Sequence, residues 1–441
     1  MPKPYRRPVC MASPDVRVPP PRVSKGALLF VRVAARAYLR FALGIGRVSV
    51  RGEEALLRVF QSALAGEAGV ILAFQHACGD EPQILGWYFF NRLARAARRA
   101  GVRLARRPRA VFVYGYEVLR WGGGLSRFIM PRLGALPIYH SKVDSGGMAR
   151  IYAALTEGLY PLALAPEGQV SYTQDAVPRL EPGVVRIGFG AAERLEKAGR
   201  ARDVIVVPIA FRYRYGRGAE RALERLLARA ERLAGLKRAP RASFAERAER
   251  CREAMLRANE ARYGLKDDGQ RPFAARVDRV IDAAFSRAEG ILGFAARGDH
   301  FNRMYELRQQ CWDRVILPGV ETLEGLPPLE RALMDLRAGE AWHAGRHLEL
   351  VDFAWYFRGD VPPDDAPLER RIEYAQNLWD FANRGMGGAY VDRRAVVPRH
   401  ARISVGPPIT LSDRLASYKR DKRAAVDAVL AEIKAAYEHP E

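Results

Sequence analysis

A chain of 441 residues with 49% hydrophobic content is long enough to bury one large elaborated core or two smaller ones. Its formal net charge of +22 comes mainly from arginine and favours polyanionic partners: nucleic acid, an anionic membrane face or acidic substrates. No RNA-binding aromatic signature, zinc finger or basic zipper accompanies the charge, four scattered cysteines (Cys10, Cys78, Cys251, Cys311) show no CxxC spacing, and no uncharged apolar run reaches about 18 residues, so nucleic acid, a zinc site, a disulfide framework and a spanning helix are not expected.

Residues 1–24 are rich in proline and arginine and read as a disordered basic tail; no uninterrupted apolar core marks them as a secretory signal. Between 26 and 46 the only charges are Arg32, Arg36 and Arg40, spaced by four so that they line one helical face. Leu29, Phe30, Val33, Leu39, Phe41 and Leu43 cover much of the rest. Segment 25–47 therefore reads as an amphipathic helix, either lying in a membrane interface or docked on its own domain.

Strand-like runs follow at 48–51, 70–75, 110–114, 135–139, 161–165 and 204–211, with helical patterns between them such as 82–100 and 147–157. The alternation predicts an α/β fold, a mostly parallel central sheet flanked by helices, whose sites gather at the carboxyl ends of the strands. From 217 the strand signals fade into long helical stretches at 217–236, 244–262, 275–294, 303–316, 329–355 and 368–384. A strand returns at 401–409, and Ser412 precedes a last helical pattern running to about 437. The expected organisation is an α/β domain over 48–216, a large α-helical insertion over 217–394, and resumption of the α/β domain over 395–441.

Chemistry concentrates at His76-Ala77-Cys78-Gly79-Asp80-Glu81-Pro82, directly after the apolar run Gly69-Val70-Ile71-Leu72-Ala73-Phe74-Gln75. A histidine ending a strand, small residues in the turn, and Glu-Pro opening a helix form a corner that can hold a carboxylate against one imidazole nitrogen and leave the other free to take a proton. Glu81 and Asp80 are both candidates for that carboxylate. A second strand ends in Pro166-Glu167-Gly168-Gln169-Val170-Ser171, where glycine admits close backbone approach and Glu167 can accept from substrate hydroxyls.

These pieces, in this order, resemble the glycerolipid acyltransferase superfamily, of the lysophosphatidic acid acyltransferase type. Its first block, His-x-x-x-x-Asp before proline, is matched by His76 and Glu81-Pro82. Its second, ending Gly-x-x-x-x-x-Arg, is matched by Gly134-Ala-Leu-Pro-Ile-Tyr-His140, and its third, Phe-Pro-Glu-Gly-Thr-Arg-Ser, by residues 165–171. Val207-Pro208-Ile209 stands for the fourth, while Val405-Gly-Pro-Pro-Ile409 resembles the closing turn and Val48-Ser-Val-Arg-Gly52-Glu53 the entry strand. The resemblance covers about 25–215 and 395–437 and leaves the helical stretch untouched.

The resemblance implies that His76 deprotonates an acceptor hydroxyl, which attacks the thioester of an acyl-CoA or acyl-carrier protein, with Glu81 or Asp80 orienting the imidazole. It implies substrate contacts from Glu167, Gly168, Gln169, Ser171 and His140, to which Arg186 adds positive charge. It implies a lysolipid-like acceptor, an acyl thioester donor, an anionic membrane surface as partner, no cofactor, and a cytoplasmic place on the inner face of the cell membrane. A relay through Cys78 is the competing chemistry. The chain departs from the family in carrying Glu81 for aspartate, and His140 and Val170 where the family has arginines associated with acceptor phosphate. The alternative function is a non-catalytic lipid- or nucleic-acid-binding protein on a decayed acyltransferase scaffold. In the helical stretch, His343 and His347 share a helix face, which suits either a metal or aromatic packing.

Overall fold

The computed structural model describes residues 10–15, 20–116, 118–121, 123–139, 144–177, 179–266, 271–385, 393 and 395–440. The chain divides into two compact units, Val18–Gly216 with Val397–Glu441, and Met1–Arg17 with Arg217–Val396.

The first unit is α/β. Its sheet is built from β1 (Ile45–Arg51), β2 (Ala68–Phe74), β3 (Val111–Gly115), β4 (Leu136–Ile138), β5 (Leu162–Leu164), β6 (Asp203–Tyr215), β7 (Arg399–Val405) and β8 (Ile409–Thr410). The spatial order is β1-β7-β6-β2-β5-β3-β4, with β8 also paired to β6. Neighbours run parallel except at β6–β7 and β6–β8, so the sheet is mostly parallel.

The apolar run of β2 is buried on both faces, as a strand in the middle of a covered parallel sheet must be. Val70, Leu72 and Phe74 pack with Phe60 and Leu64 of helix Glu53–Ala65 and with Leu85 and Phe89 beyond β2. Ile71 and Ala73 pack on the other face with Val185, Phe189, Val429 and Ile433 of helices Gly183–Lys197 and Lys422–Glu438. The chain leaves β2 toward the first face and leaves its neighbour β5 toward the second. Their adjacent carboxyl ends therefore open at the point where the winding changes sides, the usual place for a ligand in such a sheet.

Pro208 sits inside the long central strand β6, where a missing N–H would normally cost a ladder bond. It falls where pairing with β8 at Ile205 and Val206 gives way to pairing with β7 from Ile209 onward. The gap in the ladder is placed at a change of partner, which is why the proline is tolerated.

Ahead of β1, helix Lys25–Ala37 is capped by the Ser24 hydroxyl and continues through a π-helical turn at Tyr38–Ala42. Only Leu39 of that turn is buried, whereas Leu29, Phe30, Val33 and Phe41 are exposed.

The second unit is helical, with Ala219–Leu233, Phe244–Arg262, Phe273–Leu292, His300–Val315, Pro328–Phe357 and Leu368–Gly385 as its main elements. Ser243 and Glu246 form a reciprocal capping box at the start of Phe244–Arg262. Buried Arg247 is paired with Glu231 at 3.0 Å and Arg276 with Glu260 at 2.6 Å, so the interior charges of this unit are matched. Part of the 1–24 stretch expected to be disordered lies outside the described residues. The part that is described is held: Ser13–Pro14 pairs in parallel with Ile316–Leu317, and the Ala12 N–H donates to Asp335.

Candidate active site

Strand β2 ends at Phe74, and Gln75 extends it by donating its N–H to the Ile209 carbonyl of β6. The Gln75 side chain is fully buried and bonds the Gln174 carbonyl and the Phe211 N–H, which ties the end of β2 to the chain on either side of it. His76 then leaves the sheet. Gly79 turns the corner at φ 90°, a conformation that a side chain would strain, and helix Glu81–Tyr88 begins with Pro82 in its first turn.

The geometry decides between the two candidate carboxylates. His76 Nδ1 lies 2.9 Å from Glu81 Oε2, and Glu81 is completely buried. The same carboxylate accepts the backbone N–H groups of Cys78 and Gly79 and the Tyr213 hydroxyl, each at 2.8 Å. Asp80 does not join His76; its carboxylate is paired with Arg399, the first residue of β7. An ionised carboxylate only accepts, so the proton of a neutral His76 is on Nδ1 and the lone pair on Nε2. No described residue hydrogen-bonds Nε2, and the His76 side chain is 19% exposed.

The electrostatics favour an ionised Glu81 and a His76 that binds a proton more tightly than a free imidazole. Burial pushes Glu81 up, but the bonds from His76, the backbone and Tyr213 hold it net below its usual range. Burial pushes His76 down, yet the Glu81 hydrogen bond and the charges of Glu81, Glu167 and Asp80 bring it net upward. Burial and the Glu81 charge drive the Tyr213 phenol far up, which keeps it a donor. Asp80 is raised by burial even though Arg399 works against the rise.

Glu167 follows β5, the parallel neighbour of β2, and accepts the His76 backbone N–H at 2.8 Å. Gly168, at φ 70°, turns the chain after it. Ser171 closes the second corner onto the first: its N–H donates to the His76 carbonyl at 2.9 Å, and its hydroxyl donates to the Thr173 carbonyl at 3.2 Å. Its hydroxyl proton is thus engaged with backbone. Gln169 is half-buried on the turn. Arg186 lies exposed on helix Gly183–Lys197 and bonds none of the corner residues. His140 lies outside the described residues.

Glu167 Oε2 is buried with no hydrogen-bond partner among the described residues, and burial raises this carboxyl from 4.5 to about 7. A carboxyl that is easier to protonate in the folded chain than in the unfolded one supports stability below pH 4.5, and that support is lost as the pH rises through about 7. The loss is on the order of 3 kcal/mol. Urea unfolding of wild type and Glu167→Gln should converge near pH 4 and separate between pH 5 and 8, with the variant the more stable at pH 8. Parallel pH profiles would contradict this.

In the helical unit, the rings of His343 and His347 are 5.2 Å apart, and His347 Nδ1 is 2.7 Å from the Tyr263 hydroxyl. Among the described residues no group of three or more His, Cys, Asp or Glu side chains is gathered as a metal would need.

Tyr213 and Arg399 were not among the candidate residues. Both come from strands that meet β2 and its corner only in the folded sheet. The available signal was an arginine opening a strand whose alternate residues Ala401, Ile403 and Val405 are apolar, a position where a buried charge requires a partner. The chain matches no protein-family model and no curated protein.

Proposed function

We propose that this chain is an acyltransferase of the glycerolipid type, moving a fatty acyl group from acyl-CoA or acyl-carrier protein to the hydroxyl of a lysophospholipid-like acceptor. The observation that carries the reading is the 2.9 Å contact between His76 Nδ1 and buried Glu81, with Nε2 bonded by none of the described residues at the carboxyl end of β2.

In this reaction His76 Nε2 takes the acceptor proton as the hydroxyl oxygen attacks the thioester carbonyl. Glu81 stabilises the imidazolium that forms, as the acid of a hydrolytic triad does. The tetrahedral intermediate then collapses, the thiolate leaves, and the imidazolium returns the proton to it. The products are an ester and a free thiol. No enzyme nucleophile is used, so the Cys78 thiol is dispensable.

The helix Lys25–Ala37 and its π-turn serve as a membrane-associating element, with the exposed apolar side chains among lipids and Arg32 and Arg40 among headgroups. Residues 217–394 stand as an insertion in the acyltransferase domain, and the protein works peripherally on the cytoplasmic face of the cell membrane. Among the described residues no helix is long and apolar enough to cross a membrane.

The test is acyl transfer from radiolabelled acyl-CoA and acyl-carrier protein to a panel of lysophospholipids, with and without a headgroup phosphate monoester, beside His76→Ala. Ester formed by wild type and lost in the variant supports the reading. Lipid binding without transfer from any donor would favour a binding protein on the same scaffold.

A further inference from the structure

Three carboxylates crowd one imidazole. Glu81 bonds it directly, Glu167 accepts its backbone N–H, and Asp80 precedes Glu81 in the same turn. A base surrounded by three uncompensated anions would hold its proton and could not accept another. Around the corner stand Tyr213 and Arg212 from β6, Arg399 from β7, the Cys78 thiol, and Tyr437 of the last helix, whose hydroxyl bonds the Ala73 carbonyl. Arg212 is turned to Gln75, the Tyr437 carbonyl and Asp175, so among these groups Arg399 is the cation that meets a carboxylate of the His76 turn.

Arg399 is 5% exposed, and its placement is specific. One terminal nitrogen is shared between Asp80 and the Leu43 carbonyl, the latter at 2.9 Å, at the end of the π-turn that precedes β1. Its guanidinium carbon lies 5.1 Å from the centre of the Tyr213 ring, and that ring's hydroxyl bonds Glu81. One arginine therefore touches both arms of the site: Asp80 through its charge, and Glu81 through the ring it covers.

Accepting the acyl-transfer reading, we propose that Arg399 is a positioning residue that neutralises Asp80 and, over the Tyr213 ring, fixes the donor to Glu81, so that His76 answers to Glu81 without the added charge of Asp80 and keeps Nε2 available as a base. It touches no reacting atom. Its effect reaches the reaction through the protonation of His76.

The experiment is a titration of His76 by histidine ring NMR on the full chain, whose seven histidines allow assignment by comparison with His76→Gln. Arg399→Gln should move the His76 midpoint up by about one unit, because Asp80 is then uncompensated. Arg399→Lys should restore most of it. Asp80→Asn should move the midpoint down, and Asp80→Asn with Arg399→Gln should return it near the wild-type value, since the pair is removed together. Asp80→Asn keeps the test decisive if Arg399→Gln does not fold. A midpoint unmoved by Asp80→Asn, or a double-variant midpoint displaced as far as that of a single variant, overturns the proposal. The titration does not depend on turnover: shifted midpoints without acyl transfer from any donor would remove the acyltransferase reading and leave the brace standing. Transfer with unmoved midpoints would do the opposite.

Discussion

Glu81→Gln is expected to lower the rate of acyl transfer about 10³- to 10⁴-fold while leaving the fold intact. Glutamine keeps the shape and can still accept two of the four bonds that Glu81 takes, those from the Cys78 N–H and the Tyr213 hydroxyl. Its amide nitrogen would then face the Gly79 N–H and His76 Nδ1, both of which now donate to Oε2. An amide N–H donates, so the neutral imidazole must turn to the tautomer with its proton on Nε2, the atom that has to receive one from the acceptor. The imidazolium also loses the negative charge that stabilises it. Two effects therefore act on one step, and the loss should appear mainly in kcat, with KM for the lysolipid little changed. Histidine ring NMR of the same variant should report the changed tautomer directly. Retention of most of the wild-type kcat would mean that the dyad is not the base of the reaction. Cys78→Ser separates the competing relay, because it should leave kcat within a few-fold of wild type.

The dyad was legible because it is local. His76 and Glu81 are five residues apart, at a strand end and a helix start, and both boundaries are written in neighbouring residues: the apolar run through Phe74 and the Glu-Pro pair at 81–82. What the sequence left open was Asp80 against Glu81, because adjacent side chains in a turn diverge in directions set by Gly79 and by distant partners. Those partners are 132 residues away for Tyr213 and Glu81 and 319 residues away for Arg399 and Asp80. Pairing over such separations is decided by strand order, and the order in which β7 lies between β1 and β6 has no local signature.

The same distinction runs through the fold. The helix expected at 244–262 is found as Phe244–Arg262, where the Ser243–Glu246 capping box marks the start in sequence. The helix expected over 82–100 is interrupted: Glu81–Tyr88 passes into a π-turn at Phe89–Leu93 before Ala94–Arg99 resumes. A π-turn changes the residue-to-face relation by one position without changing composition, so periodicity does not reveal it. The strand read as 401–409 is divided at Gly406, where β7 leaves β6 and β8 takes its place. Ser171 has a structural use that the motif does not announce: its N–H donates to the His76 carbonyl and so holds the two corners together.

Phe30→Ser with Phe41→Ser should reduce binding to anionic vesicles by about 10²- to 10³-fold without altering the His76 corner. Both rings point away from the unit, 61% and 81% exposed, on a helix and π-turn that bury only Leu39. Helix Gly123–Leu133 is joined to the start of this element through the Arg22 and Ser24 N–H groups, which donate to the Pro131 and Arg132 carbonyls, and it exposes Leu125 and Phe128 as well. An aromatic side chain taken fully out of water is worth about 1.5–3 kcal/mol, so partial insertion of two accounts for the expected loss. The arginines contribute differently. Arg32 and Arg40 are exposed on the same element and add about 1 kcal/mol each near anionic headgroups, a part that salt screens. Vesicle sedimentation should therefore separate the two: Arg32→Gln with Arg40→Gln should bind weakly at low salt and lose the salt dependence, while the aromatic variant should bind weakly and keep it. Equal binding of wild type and both variants to anionic and zwitterionic vesicles would assign the exposed helix to a partner other than a bilayer, and His76 would then meet its acceptor from solution.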